Sequence, residues 1–457
     1  MITSPPASIF KAYDVRGLYG EEIDGETAFL IGRAFARVLA ELRGKATSEL
    51  TVGLGHDMRL SSPEMAERAR EGMVAEGVRV LDAGQVATEQ LYFLVGSREL
   101  DGGAMVTASH NPKAYTGIKL LREQALALSG DAGIGDIRAQ IEAGLPEAPG
   151  GGSVEDVEIG EEFRAHLLGL VDADQIGGLR VLAYGSEGMA GPMIGPILED
   201  LDIELRTASF EPDGDFPDRG PNPMLEENRV EIIERIREDD VDMAIAWDGD
   251  ADRCFFFDSN AEFCDGDFIC ALLAKAMLAK EPGAKILYDP RSSRAVPDTV
   301  AAEGGTSDLS RVGHAFFKRR MREEAAIFGG EVSGHYYFRD FYCADSGSIP
   351  ALLMLELIST GGSSLAELMG AFRSRYFISG EINSEVADQD GKMAEVEERY
   401  SDGEITKLDG VSVDYDDWHF NVRPSNTEPL LRLNLESLVS PEHMAEKRDE
   451  VLGLIRG

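Results

Sequence analysis

Short apolar runs alternate with amphipathic stretches of helical period along most of the chain. Residues 27–42 place Phe29, Ile31, Ala34, Phe35 and Val38 near one face, which predicts a helix. Residues 50–55 predict a short strand. Residues 61–76 predict a second helix, capped by Ser61 or Ser62 and started by Pro63. Residues 78–81 predict the next strand, and the run 104–106 predicts another that ends at Thr107. The theme returns with predicted strands at 179–184, 243–247, 285–288 and 326–328. Strands alternating with helices imply parallel α/β sheets. From about Phe377 the rhythm changes to strand-like segments followed by a helix at 441–455. The repetition is architectural, without a strict sequence repeat.

The sharpest break in composition is Glu147-Ala148-Pro149-Gly150-Gly151-Gly152-Ser153, which reads as a boundary. The expected division is 1–150, 151–256 and 257–374 as three similar α/β domains, then 375–457 as a smaller α+β domain. A chain of 457 residues suits roughly three or four domains of ordinary size. No apolar run approaches the ~20 residues of a membrane span. The N-terminus, Met1-Ile2-Thr3-Ser4-Pro5-Pro6, lacks the basic and apolar regions of a signal peptide. The four cysteines, Cys254, Cys264, Cys270 and Cys343, form no Cys-x-x-Cys pair, so reduced buried thiols in a cytoplasmic protein are expected.

Charge narrows the function classes. Net charge is −39, from 44 basic and 83 acidic residues. That excess opposes binding to nucleic acid and to anionic membranes. A phosphate site would need locally concentrated arginine and lysine. Only 11 of the basic residues are lysine. Adaptation to high salt, which screens such self-repulsion, is one expectation.

Four loops carry candidate chemistry. Thr107-Ala108-Ser109-His110-Asn111-Pro112 follows an apolar run, so Ser109 stands at the carboxyl edge of a sheet, with Lys119 downstream after Thr116-Gly117. A Ser-His pair alone also suits an ordinary capped turn. Asp248-Gly249-Asp250-Ala251-Asp252-Arg253 follows another apolar strand. Three carboxylates at alternate positions repel unless a cation or proton relieves them, and oxygen-only ligands suit Mg²⁺. An EF-hand is excluded, since its sixth position would be Arg253 and its twelfth Ser259. An acidic surface turn fits the same residues. Gly329-Gly330-Glu331-Val332-Ser333-Gly334-His335 offers Glu331 and Ser333 to sugar hydroxyls, or is a capped glycine turn. Arg423-Pro424-Ser425-Asn426-Thr427-Glu428-Pro429 supplies a guanidinium, hydroxyls and an amide, as a phosphate cradle would.

In that order along nearly the whole chain, these loops resemble those of the α-D-phosphohexomutases, the phosphomannomutase/phosphoglucomutase family. The serine loop and the acidic loop match fully. Gly185-Ser186-Glu187-Gly188-Met189-Ala190-Gly191 resembles the family's glycine-rich turn, with Glu187 where Asn is usual. The resemblance implies four domains around a central cleft. It implies that Ser109 is phosphorylated and that Asp248, Asp250 and Asp252 hold Mg²⁺ together with the phosphoserine. His110, Lys119 and His314 become catalytic candidates, with Arg16 assisting. Arg253, Arg291, Gly313, Glu331, Ser333 and His335 would bind the sugar, and Arg423, Ser425, Asn426 and Thr427 its distal phosphate. Arg291, in Tyr288-Asp289-Pro290-Arg291, stands where members often have lysine. The implied reaction interconverts hexose 1-phosphate and hexose 6-phosphate through a hexose 1,6-bisphosphate, in a monomer or homodimer. The rivals are a phosphoglucosamine mutase, a phosphatase and a non-catalytic sugar-phosphate or calcium binder.

Overall fold

A computed structural model describes residues 5–128, 133–217, 220–425 and 429–457. The chain forms two compact units: Met1–Phe263 with Gly334–Gly362, and Cys264–Ser333 with Ser363–Gly457.

In the first unit, Val15–Leu18 (β1), Thr51–His56 (β2), Arg79–Gln85 (β3), Gly102–Val106 (β4), Tyr115–Arg122 (β5) and Ser153–Asp156 (β6) form one sheet in the order β1-β5-β4-β2-β3-β6. β2 lies parallel to β3 and β4, whereas β5 is antiparallel to β4 and β1. The helices are Gly25–Arg43 (α1), Ser62–Ala75 (α2), Thr88–Ser97 (α3) and Ile134–Ala143 (α4). Glycine lets α1 and α2 pack backbone to backbone. A Cβ on Gly32 would lie 2.1 Å from the Ala69 carbonyl oxygen, and one on Gly72 2.2 Å from that of Phe29.

Gly160–Leu168 (α5), Gly177–Tyr184 (β7), Ala190–Leu198 (α6), Asp202–Ala208 (β8), Val230–Asp239 (α7), Met243–Trp247 (β9) and Cys254–Asp258 (β10) build a second sheet, ordered β10-β9-β7-β8. Its central strand β9 is buried at every position, as an all-apolar run covered on both faces must be. Phe263–Cys264 (β11) closes this stretch.

The second unit opens with Gly266–Lys280 (α8), Lys285–Tyr288 (β12), Ala295–Ala302 (α9), Thr306–Leu309 (β13), His314–Glu324 (α10) and Phe328–Gly330 (β14), with β12 parallel to β13 and β14. The chain then returns to the first unit as Tyr336–Phe338 (β15), antiparallel to Ala344–Asp345 (β16), and Ser348–Gly361 (α11). Specific bonds fix it there. The Trp247 indole donates to Gly347 O at 2.8 Å, and the amides of Asp172 and Gly177 donate to Glu356 and Ser359. Leu365–Arg373 (α12), Phe377–Ile378 (β17), Ile382–Glu385 (β18), Gln389–Arg399 (α13), Glu404–Thr406 (β19), Val411–Asp414 (β20), Trp418–Pro424 (β21), Leu430–Ser437 (β22) and Pro441–Arg456 (α14) complete the second unit around an antiparallel sheet.

Several expectations shift. The glycine-rich break is not where the first sheet ends, because β6 lies beyond it and pairs parallel to β3. Ser61 occupies the N-cap of α2 but its side chain makes no capping bond, and Ser62 Oγ donates to Asp57 instead; Pro63 sits in the first turn. The strand expected at 326–328 forms two residues later, on Phe328-Gly329-Gly330. Lys119 lies on a strand, β5, that the polar pattern concealed. All four cysteines are buried, and among the described residues none forms a disulfide. Among the described residues no single helix is long and apolar enough to cross a membrane.

Candidate active site

β4 ends at Val106, and the chain turns sharply to place Ser109 in the left-handed region at φ 50°, a strained conformation for a non-glycine residue. Neighbouring groups impose it. The Ser109 amide donates to Thr107 Oγ1 at 2.8 Å. The buried Arg59 guanidinium donates to the carbonyls of Ser109 (2.7 Å), Asn111 (2.6 Å), Pro112 (3.1 Å) and Tyr115 (3.3 Å). Arg16 reaches Asn111 Oδ1 at 2.7 Å and pairs with Asp14. The hydroxyl of Ser109 lies 3.2 Å from His110 Nδ1 and 3.2 Å from Asp248 Oδ2. Burial, then the charges of Arg253 and Arg16, push the His110 pKa well below the usual imidazole value, so the ring is neutral.

Asp248, Asp250 and Asp252 follow β9, the strand whose burial carries them to one sheet edge. All three are buried, and one carboxylate oxygen from each lies within 4.8 Å of the others. Lys119 Nζ donates to Asp250 Oδ2 and Asp252 Oδ2 at 2.5 Å each. Burial pulls the Lys119 pKa down, but Asp250, Asp252 and Asp345 overcome it and hold the ammonium charged. Burial and the other two aspartates drive the Asp248 pKa well up, the mark of a trio short of positive charge. The Oδ1 atoms of Asp250 and Asp252 are buried without a hydrogen bond. Hard, anionic, unsatisfied oxygens beside a serine hydroxyl fit a divalent cation such as Mg²⁺. Arg253 donates to His335 Nε2 at 3.2 Å and lies 3.6 Å from Asp248. Burial and then Arg253 lower the His335 pKa to about 3, leaving it neutral.

The second unit gathers the other candidates. Arg291 is buried and paired through two nitrogens with Asp289, at 3.0 and 2.7 Å. Glu331 accepts from the Gly313 amide at 2.9 Å, which places Gly313 and His314, the first residue of α10, beside the glycine loop. Asp289 also accepts from the Val332 amide, one residue before Ser333. Arg423 donates to Glu381 Oε2 at 3.0 Å, while Arg432, opposite it on β22, donates to Oε1 at 3.0 Å. Burial would raise the Glu381 pKa, but Arg291, Arg423 and Arg432 hold it below the usual carboxylate value. The Ser425 amide donates to Leu430 O at 2.9 Å. Asn426 and Thr427 lie outside the described residues.

Arg59, Glu381 and Arg432 escaped the sequence reading. Asp57-Met58-Arg59 follows β2, at the same sheet edge as Ser109, and that position was the available signal. Nothing local marks Glu381, whose arginines come from positions 42 and 51 residues away.

A serine hydroxyl in contact with an acidic trio, with an ammonium bridging two of its carboxylates, is an arrangement suited to phosphoryl transfer. Comparison with known proteins agrees. Descriptions of the phosphoglucomutase/phosphomannomutase alpha/beta/alpha domains I, II and III match residues 7–146, 161–261 and 265–376, and that of the C-terminal domain matches 381–454. The chain is 42% identical to the "Phosphohexose mutases" of Xanthomonas campestris pv. campestris (strain B100), covering 98% of this chain and 99% of that protein. It is 41% identical to a "Phosphomannomutase" of Vibrio cholerae over 98% of each. A crystal structure of a phosphoglucomutase/phosphomannomutase family protein from Burkholderia thailandensis superposes with a TM-score of 0.89 at 29% identity, covering 98% of this chain and 97% of that one. The chain belongs to the phosphoglucomutase/phosphomannomutase family.

Proposed function

We propose that this chain is a phosphohexose mutase interconverting hexose 1-phosphates and hexose 6-phosphates, with mannose and glucose phosphates as substrates. The observation that carries the reading is Ser109 Oγ at 3.2 Å from Asp248, inside the trio that Lys119 bridges. Phosphorylated Ser109 is the donor: the Oγ–P bond breaks as a P–O bond forms to a sugar hydroxyl, and the proton that this hydroxyl gives up is balanced by the one that the leaving Oγ takes up. The product of that half-reaction is the hexose 1,6-bisphosphate, and return of its other phosphate to Ser109 completes the exchange. Asp248, Asp250 and Asp252 would hold Mg²⁺, which when bound supplies positive charge against phosphoryl oxygens. Lys119 adds a fixed charge beside them. Neutral His110, within hydrogen-bond reach of Oγ, can take the serine proton when the phosphoryl group returns. Gly313, Glu331, Ser333 and Arg291 supply sugar-binding groups, as do Arg253 and His335, while His314 is a further candidate for proton transfer. Arg423, Ser425, Asn426 and Thr427 take the phosphate that is not reacting. Arg16 steadies the serine loop through Asn111.

The test is intact-mass measurement of wild type and Ser109→Ala, alongside a coupled mutase assay primed with glucose 1,6-bisphosphate. Wild type should carry a phosphate-sized increment and turn over. The variant should lack the increment and lose several orders of magnitude in rate. Turnover by Ser109→Ala near that of wild type would overturn the reading.

A further inference from the structure

The acidic loop is held from behind by a helix that no sequence motif marks. Thr88, the first residue of α3, is fully buried and touches Asp250 twice across 162 positions of sequence. Its amide donates to the Asp250 carbonyl oxygen at 3.2 Å, and its hydroxyl donates to Asp250 Oδ2 at 2.5 Å. The amide belongs to the first turn of a helix, so it has no partner within α3, and Asp250 satisfies it. The hydroxyl and Lys119 Nζ both bind Oδ2, and Oδ1 of the same carboxylate is left without a hydrogen bond. The next residue fixes the helix end in turn. Glu89, also fully buried, accepts from the Ser348 hydroxyl and, at 3.4 Å, from the Ser348 amide at the start of α11.

We propose that Thr88 is a positioning residue for the divalent cation: by holding Oδ2 of Asp250, its hydroxyl fixes the carboxylate so that Oδ1 faces the cation. The inference rests on the metal reading above. It assigns to Thr88 no contact with substrate and none with the metal. Outer-sphere hydrogen bonds of this kind orient a ligand and are commonly worth about ten- to hundredfold in metal affinity.

The experiment measures Mn²⁺ binding to the full chain by electron paramagnetic resonance, together with melting in chelator and mutase kinetics across a Mg²⁺ series. The variants are Thr88→Val, which keeps the shape and removes the hydroxyl, Thr88→Ala, which removes it without placing a methyl against the carboxylate, and Thr88→Ser, which restores it. Both hydroxyl-free variants should bind Mn²⁺ about tenfold or more weakly, with their lost rate largely recovered at high Mg²⁺. Thr88→Ser should stay close to wild type. Wild-type affinity in either folded hydroxyl-free variant overturns the proposal. So does a Thr88→Ser variant as weak as Thr88→Ala, since packing and not the hydroxyl would then matter. Absence of Mn²⁺ binding by wild type would instead remove the metal reading itself, which separates the two failures.

Discussion

Replacing Lys119 by methionine removes an ammonium that bridges Asp250 and Asp252 of the acidic loop. The Lys119 side chain is 12% exposed, and its partners Asp250 and Asp252 are 0% and 3% exposed. Methionine keeps most of the aliphatic bulk, so the loss is mainly electrostatic. Removing one member of a buried ion pair leaves its partners uncompensated, at a cost of roughly 3–5 kcal/mol. For a unit of this size that corresponds to a fall in Tm on the order of 5–15 °C. The measurement is a thermal melt of wild type and Lys119→Met in chelator, repeated with saturating Mg²⁺. A ligand present at about a hundred times its Kd stabilises by about 2.7 kcal/mol. Mg²⁺ should therefore recover a substantial part of the loss, and should raise the variant's Tm more than that of wild type, because it relieves a repulsion that Lys119 no longer offsets. Equal melting of the two proteins in chelator would refute the reasoning, since it would mean that the carboxylates do not depend on the ammonium.

Arg423→Ala should lower kcat/KM by about tens to a hundredfold for the 1-phosphate and the 6-phosphate alike, because one charge-assisted contact worth roughly 2–3 kcal/mol serves both orientations. Loss with one isomer alone would mean two separate phosphate sites. Glu89 supplies a pH signature. Burial lifts its pKa from 4.5 to about 7, against the opposing donors Ser346 and Ser348. The folded state thus binds this proton more tightly than the unfolded state, so the associated stability is complete below about pH 4.5 and lost as pH rises through about 7. The ceiling is about 3 kcal/mol. Urea unfolding of wild type and Glu89→Gln at pH 5 and pH 8 should show wild type losing more stability over that interval, and parallel behaviour would contradict the assignment.

The elements legible in sequence were those whose burial demands a uniform pattern. β9 and β12 fall where their apolar runs lie, at Met243–Trp247 and Lys285–Tyr288. β14 was displaced because two of its three residues are glycine, whose missing side chains read as loop. β5 was hidden because Thr116, Gly117 and Lys119 break the apolar alternation, although the strand is largely buried and Lys119 is satisfied by aspartates 131 and 133 positions away. The reacting loops could be read because phosphate and metal chemistry concentrates its groups within a few residues. Their supports could not. Arg59, Thr88, Glu89 and Glu381 act on partners between 42 and 259 positions distant, and only the folded chain brings them together.

The strand beyond the glycine run bears on how this protein can be divided. β6 is exposed at all four positions, yet it covers the outer edge of β3, and its Glu155 pairs with Arg79 at 2.5 Å. Its acidic residues Glu155 and Asp156 face solvent at the sheet margin, where charge discourages another chain from adding a strand. A fragment ended at residue 150, where the composition breaks, would uncover the backbone donors and acceptors of Arg79–Asp82. Such a fragment would also uncover Thr88 and Glu89, whose partners Asp250 and Ser348 lie beyond the cut, and it would offer a bare strand edge for intermolecular pairing, so self-association is a hazard in dissecting this molecule at its most inviting seam.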